Sequence, residues 1–194
     1  DRANDDRFLA HGGSLLGNSG RRYLAGRRTD DKPVRPRHLG PMPASRPLTP
    51  GEAELARSVF GDALDPARAF VANRKWAFFQ PRNTTMAPLG TIHFNPASGL
   101  YREDFAAAPL ALQGLFVHEL VHVWQHQQGL FLPLRRHPFC RYGYVLEPGR
   151  PFLRYGIEQQ AEIVRHAFLL GRGMELPGAA PLSSYAALLP FRTA

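Results

Sequence analysis

Three observations predict an α+β domain. Strand-like pieces, Ala69-Phe70-Val71-Ala72 and Thr91-Ile92-His93-Phe94-Asn95 among them, cluster before residue 96, and long helical stretches follow. The first of these helices is apolar on nearly all sides, with Phe116, Val117, Leu120, Val121, Val123 and Trp124 around the string His118-Glu119-Leu120-Val121-His122. The second, over about 157–170, sets an apolar flank of Ile157, Ala161, Val164 and Phe168 beside two glutamates one turn apart, Glu158 and Glu162.

A chain of 194 residues with 44% hydrophobic content is long enough to bury a core, and one domain with a tail is the expectation. No run approaches the roughly 18 apolar residues of a membrane span, and no signal-peptide pattern opens the chain, so it reads as soluble with no membrane span. It begins with Asp1 rather than Met, as a fragment or processed product would. Cys140 is the only cysteine, which excludes an internal disulfide and a cysteine-based metal cluster. The net charge of +8 rests on 22 Arg and 2 Lys. Those arginines are scattered without an interleaved aromatic platform, so nucleic acid is not an expected partner.

Residues 1–47 carry ten basic and five acidic side chains with frequent Gly and Pro, and their apolar residues come in pieces too short for a core. They read as a basic tail or linker, and 48–194 as the folded domain. Thr49 is a helix N-cap with Pro50 at the first helical position and Glu52 at capping-box spacing, so a helix is expected to about Phe60, stopping at Gly61. Residues 69–72 and 76–79 read as one or two strands and 91–95 as another. An exposed edge of that small mixed sheet is where a peptide could add itself as a further strand. A helical stretch is expected over 105–128, broken or bent near Pro109 and stopped by Gly129. Residues 142–146 read as a strand within a Pro- and Gly-punctuated segment, the 157–170 helix follows, and 182–191 holds one short helix.

The chemistry concentrates in the first long helix. Residues four apart share a helix face, so His118 and His122 can reach one metal ion, while Glu119, offset by one, can reach a water on that ion without ligating it. With eight His and eight Glu in the chain, such a string arises by accident in on the order of one chain in a hundred. Its burial argues against accident, because two histidines and a glutamate on a buried helix need partners. A third protein ligand must come from elsewhere. The extended metzincin pattern would need Gly at 125 and His at 128, and the chain has Gln at both positions. Glu158 and Glu162 supply the alternative: Glu158 on the metal, Glu162 accepting the N–H of a ligating histidine, with the reverse assignment open. His126 would close a site that hydrolysis needs open, so packing or a surface role is expected. His166, a turn beyond Glu162, is a candidate either for the outer partners of the site or for a capping role near the helix C-terminus. His137, Tyr142, Tyr144, Tyr155 and Arg154 are candidates to polarise a carbonyl or stabilise an oxyanion.

H-E-x-x-H followed by E-x-x-x-E on a later helix resembles the gluzincin metallopeptidases. The resemblance implies a zincin-like domain with an active-site helix and a C-terminal glutamate helix, Zn2+ as cofactor, the first glutamate as third ligand and the second steadying a histidine. More narrowly, Arg46-Pro47-Leu48-Thr49-Pro50-Gly51-Glu52, Phe79-Gln80-Pro81, Met86-Ala87-Pro88, the His118–Gln127 run and Glu158-Gln159-Gln160-Ala161-Glu162 are similar to bacterial Vgr-related and Rhs-associated proteins. That similarity covers roughly residues 46 to 170 and implies a link to type VI secretion, with a secretion-apparatus or immunity partner and export by that route. The function expected is zinc-dependent hydrolysis of a peptide or protein substrate, with zinc on His118, His122 and Glu158 and Glu119 as general base. The alternative keeps the zinc and drops the turnover, giving a catalytically silent, zinc-stabilised interaction module.

Overall fold

A capping box starts the first helix. Thr49 Oγ1 accepts the Glu52 amide at 3.0 Å, Glu52 Oε2 accepts the Thr49 amide at 2.8 Å, and Pro50 sits at the first helical position of α1, Pro50–Phe60. Leu55, Ala56, Val59 and Phe60 form its buried side, and Gly61, at φ 54, ends it. Glu52 is fully buried and does more than cap. Its two oxygens take the Arg46 guanidinium as a fork at 2.7 and 2.9 Å, and Oε1 also accepts the Phe105 amide at 2.9 Å. One carboxylate thereby ties the first strand, the first helix and the approach to the second helix.

The computed structural model of the chain describes residues 45–131 and 142–191, all within one compact unit, Ala44–Ala194. The architecture is α+β, with a three-stranded mixed sheet in the order β1 (Arg46–Pro47), β2 (Phe70–Ala72), β3 (Thr91–His93). β1 runs antiparallel to β2 with Arg46 opposite Val71; β2 and β3 are parallel with Val71 opposite Ile92. Beyond β3, Met86 bridges antiparallel to His93, so at that residue the outer edge of the sheet is taken. β1 lies on the tail side of the expected boundary at 47, while residues 1–44 lie outside the described residues.

Three sequence expectations need correction. Residues 76–79 do not form a strand: the Trp76 amide donates to Gln80 Oε1 and the Gln80 amide to the Ala77 carbonyl, which turns the chain. The helix expected from 105 starts only at Leu110, because Glu52, Asp104 and Gln113 side chains take the backbone groups of 105, 106 and 108 and Pro109 occupies the N-cap. Residues 142–146 are not a strand either; Gln159 donates to the Gly143 carbonyl and Tyr155 accepts the Glu147 amide, so side chains stand where a ladder would.

The core is organised by α2 (Leu110–Gln127) and α3 (Ile157–Gly171). They lie antiparallel, as matched pairs along their length show: Gly114 faces Leu169, His118 faces Glu162, His122 faces Glu158 and Gln125 faces Ile157. Gly114 permits the approach, since a Cβ there would stand 2.8 Å from Leu169 Cδ2. On the sheet side, Phe94, Phe105 and Phe116 form a continuous stack with 4.8 Å between successive ring centroids. At the other end Trp124 packs on Phe152 and Phe191, and α4 (Leu182–Ala186) closes over α3 with Tyr185 buried. Among the described residues no helix is long and apolar enough to cross a membrane.

Candidate metal centre

Antiparallel packing of α2 on α3 decides what the polar residues of these buried faces meet. His118, Glu119 and His122 are 5%, 2% and 1% exposed, and Glu158 and Glu162 are 1% and 4%, so none is solvated and each needs a partner inside the protein. His118 Nε2 and His122 Nε2 stand 3.3 and 3.2 Å from one oxygen, Glu158 Oε2. These three ligand atoms lie within 4.8 Å of one another. A tetrahedral zinc with bonds of about 2.0–2.1 Å separates its ligand atoms by roughly 3.3 Å. The spacing and the two-nitrogen, one-oxygen donor set therefore fit a zinc ion.

The far sides of both imidazoles are occupied in a way that leaves Nε2 for a metal. His118 Nδ1 is 2.7 Å from Glu162 Oε1. His122 Nδ1 is 2.9 Å from Gln125 Oε1, and the direction of that bond is fixed by a chain of amides. Gln160 Nε2 donates to the Tyr155 carbonyl at 2.8 Å, which leaves Gln160 Oε1 to accept from Gln125 Nε2 at 3.0 Å; Gln125 Nε2 also reaches the Ile157 carbonyl at 3.1 Å. Gln125 Oε1 must then accept and His122 Nδ1 must donate, which makes Nε2 the nitrogen that faces Glu158.

The electrostatics of the cluster favour positive charge on His118 and negative charge on Glu162. Burial works against a charge on His118, but its bonds to Glu158 and Glu162 and the charge of neighbouring Glu119 outweigh it and hold the ring up at about 9. Burial would raise Glu162, yet the His118 ring, with Arg165 and His166 beyond it, holds it down at about 2. Arg165 Nη1 is 3.2 Å from Glu162 Oε1 and His166 Nε2 is 3.4 Å from Oε2. Among the described residues nothing hydrogen-bonds the buried Glu119 Oε2.

The other sequence candidates separate clearly. Tyr142 lies along the His118 ring, centroids 6.3 Å apart and planes 22° apart. Tyr144 is drawn away from the cluster: its hydroxyl sits between His166 and Tyr185, and burial raises its pKa. Tyr155 uses its hydroxyl on the Glu147 amide, and Arg154 is exposed. His166 joins the cluster through Glu162. His126 packs against Gly90 before β3. His137 and Cys140 lie outside the described residues. Sequence reasoning missed Gln125 and Gln160; Gln125 stands three residues after His122 on the same helix face, a spacing that could have marked it.

No family model matches the chain. It is similar to the type VI secretion system spike protein VgrG2b of Pseudomonas aeruginosa strain PAO1, 39% identical over an alignment of 135 residues that covers 65% of this chain and 13% of that protein. The chain thus spans only a small part of the spike protein's length. Among solved structures it is similar to the effector domain of Pseudomonas aeruginosa VgrG2b, with a TM-score of 0.60 and 34% identity, over 73% of this chain and 80% of that one. Likeness in both sequence and fold across four-fifths of that domain places the chain in the family of the VgrG2b effector domain.

Proposed function

We propose that the chain is a zinc metallopeptidase domain of gluzincin kind, with a zincin-like fold, acting as an effector of type VI secretion. The carrying observation is the α2–α3 register, which aims His118 Nε2, His122 Nε2 and Glu158 Oε2 at one point inside the protein. Those three side chains would hold a zinc ion. When bound, zinc would supply the Lewis acidity that polarises a scissile carbonyl and acidifies the attacking water. Glu119, buried next to His118, would act as the general base, taking a proton from the attacking water and returning it to the leaving amine. Glu162 and Gln125 keep the two imidazoles in the orientation and tautomer that ligation requires. Tyr142, whose ring lies along that of His118, is our candidate to donate a hydrogen bond to the developing oxyanion.

The effector reading is supported by the family of the chain, since the matched protein is a secretion spike and the matched structure its effector domain. The partners that follow are a peptide or protein substrate, the secretion apparatus and an immunity protein. Metal analysis of the purified chain is expected to find about one zinc per molecule and none in His118→Ala. Glu119→Gln should retain the zinc and lose cleavage of an unbiased peptide library. Absence of zinc from the wild-type chain would overturn the reading, whereas zinc without cleavage in either form would reduce the domain to a zinc-stabilised interaction module.

A further inference from the structure

The crossover from β2 to β3 carries a feature that the metal centre does not use. Phe78 is 91% exposed and Phe79 61% exposed, while Trp76 beside them is half-buried. Exposed apolar side chains scattered singly are ordinary, but here two phenylalanines and a tryptophan are clustered. Phe78 and Phe79 pack edge-on at 5.3 Å, and Trp76 and Phe79 edge-on at 6.1 Å.

The loop is held rigidly from beneath. Gln80, 2% exposed, accepts the Trp76 amide at 2.8 Å and donates to the Thr84 and His93 carbonyls at 2.7 and 3.0 Å. Asn95 reaches the Pro81 carbonyl at 3.3 Å, and Arg82 Nε donates to the Ala97 carbonyl at 2.6 Å. The aromatic tip is thus presented on a fixed base, with little ordering left to do on binding.

Its charge setting is one-sided. Between Asp65 and Glu103 the sequence has no acidic residue and five cationic ones, Arg68, Arg74, Lys75, Arg82 and Arg102. Three of these flank the aromatic tip directly. Phenylalanine at a protruding tip, tryptophan at its shoulder and Arg or Lys at its base is the composition that suits the boundary of a lipid layer, apolar tip inward and cations at the headgroups. Single-stranded nucleic acid would also be attracted by the charge, but successive bases stack on rings set as flat, parallel platforms, and these rings stand at 84° and 88° to one another.

We propose that the 74–82 loop is a docking element for an anionic lipid surface, with Phe78 and Phe79 entering the headgroup boundary and Arg74, Lys75 and Arg82 contacting lipid phosphates. The attachment is peripheral and reversible, and independent of the zinc reading.

Vesicle co-sedimentation of the full chain tests it. Vesicles of mixed phosphatidylglycerol and phosphatidylcholine are expected to bind at least about tenfold more tightly than phosphatidylcholine alone, with weakening in high salt. Trp76 fluorescence should shift to the blue on binding, while Trp124, 7% exposed in the core, stays constant. Phe78→Ser/Phe79→Ser is expected to lose about tenfold or more in partitioning, with unchanged thermal melting. Arg74→Glu/Lys75→Glu should lose about as much, and it decides the matter if the first variant fails to fold. Indifference to lipid charge, wild-type binding by either folded variant, or capture of a single-stranded oligonucleotide with vesicles ignored would overturn the proposal.

Discussion

Glu158 and Glu162 are chemically identical and one turn apart, yet the helix register gives them different work. Glu158 Oε2 meets both Nε2 atoms, whereas Glu162 meets Nδ1 of one ring. Glu158→Gln is expected to abolish stoichiometric zinc binding, and Glu162→Gln to retain it with affinity lowered about 10–100-fold; zinc titration against a competing chelator separates the two. The same residues set a pH dependence. In the metal-free protein His118 is raised to about 9 and Glu162 lowered to about 2. A raised histidine stabilises below its unfolded value and loses that contribution as pH climbs through 9; a depressed carboxylate stabilises above its unfolded value and loses it as pH falls through 2. The pair therefore contributes most between the unfolded values, about pH 4.5 to 6.5, and less above. Zinc needs the His118 proton removed, so zinc affinity should run the opposite way, rising up to about tenfold per pH unit from 7 to 9 with one proton released. Calorimetric titrations in two buffers of different ionisation enthalpy measure that proton.

Between elements, the decisive contact is the one that brings α2 onto α3. Every ligand distance depends on it, because His118 and His122 ride on one helix and Glu158 on the other. Gly114 is where the two helices press together, against a Leu169 that is itself 2% exposed and has little room to turn aside. Gly114→Val is expected to destabilise the domain by about 2 kcal/mol, despite the poor helix propensity of glycine. By separating the helices it should also weaken zinc binding. Urea denaturation of the metal-free protein and zinc titration test the two effects separately; unchanged stability together with unchanged zinc affinity would show that the register is held elsewhere.

For the molecule as a whole, burying two imidazoles and three carboxylates together carries a desolvation cost that a bound metal ion would offset further. Zinc at about 1,000 times its dissociation constant would add about 4 kcal/mol of stability. In a domain of this size that is a rise of roughly 8–16 °C in Tm. Chelation should lower the melting temperature by that amount, zinc should restore it, and His118→Ala should not respond to either; scanning calorimetry is the measurement.

Spacing along the chain by itself determined whatever depends on a single helix. Thr49 and Glu52 at capping-box distance, His118 and His122 one turn apart, and Glu158 and Glu162 one turn apart are consequences of 3.6 residues per turn and were legible before any fold was known. The tertiary structure alone decided what those faces meet. It turned Glu52 from a cap into a three-way tie, made Gln125 the partner of His122 with Gln160 behind it, and divided the roles of the two glutamates. It also overrode three local patterns, at 76–79, 105–109 and 142–146, where side chains, some from the same loop and some from distant segments, take the backbone groups that a strand or helix would have used. The physical reason is common to all of these. A periodic pattern specifies which side of an element is buried, but a hydrogen bond or a ligand position needs two elements in register, and that register is set by packing such as Leu169 against Gly114.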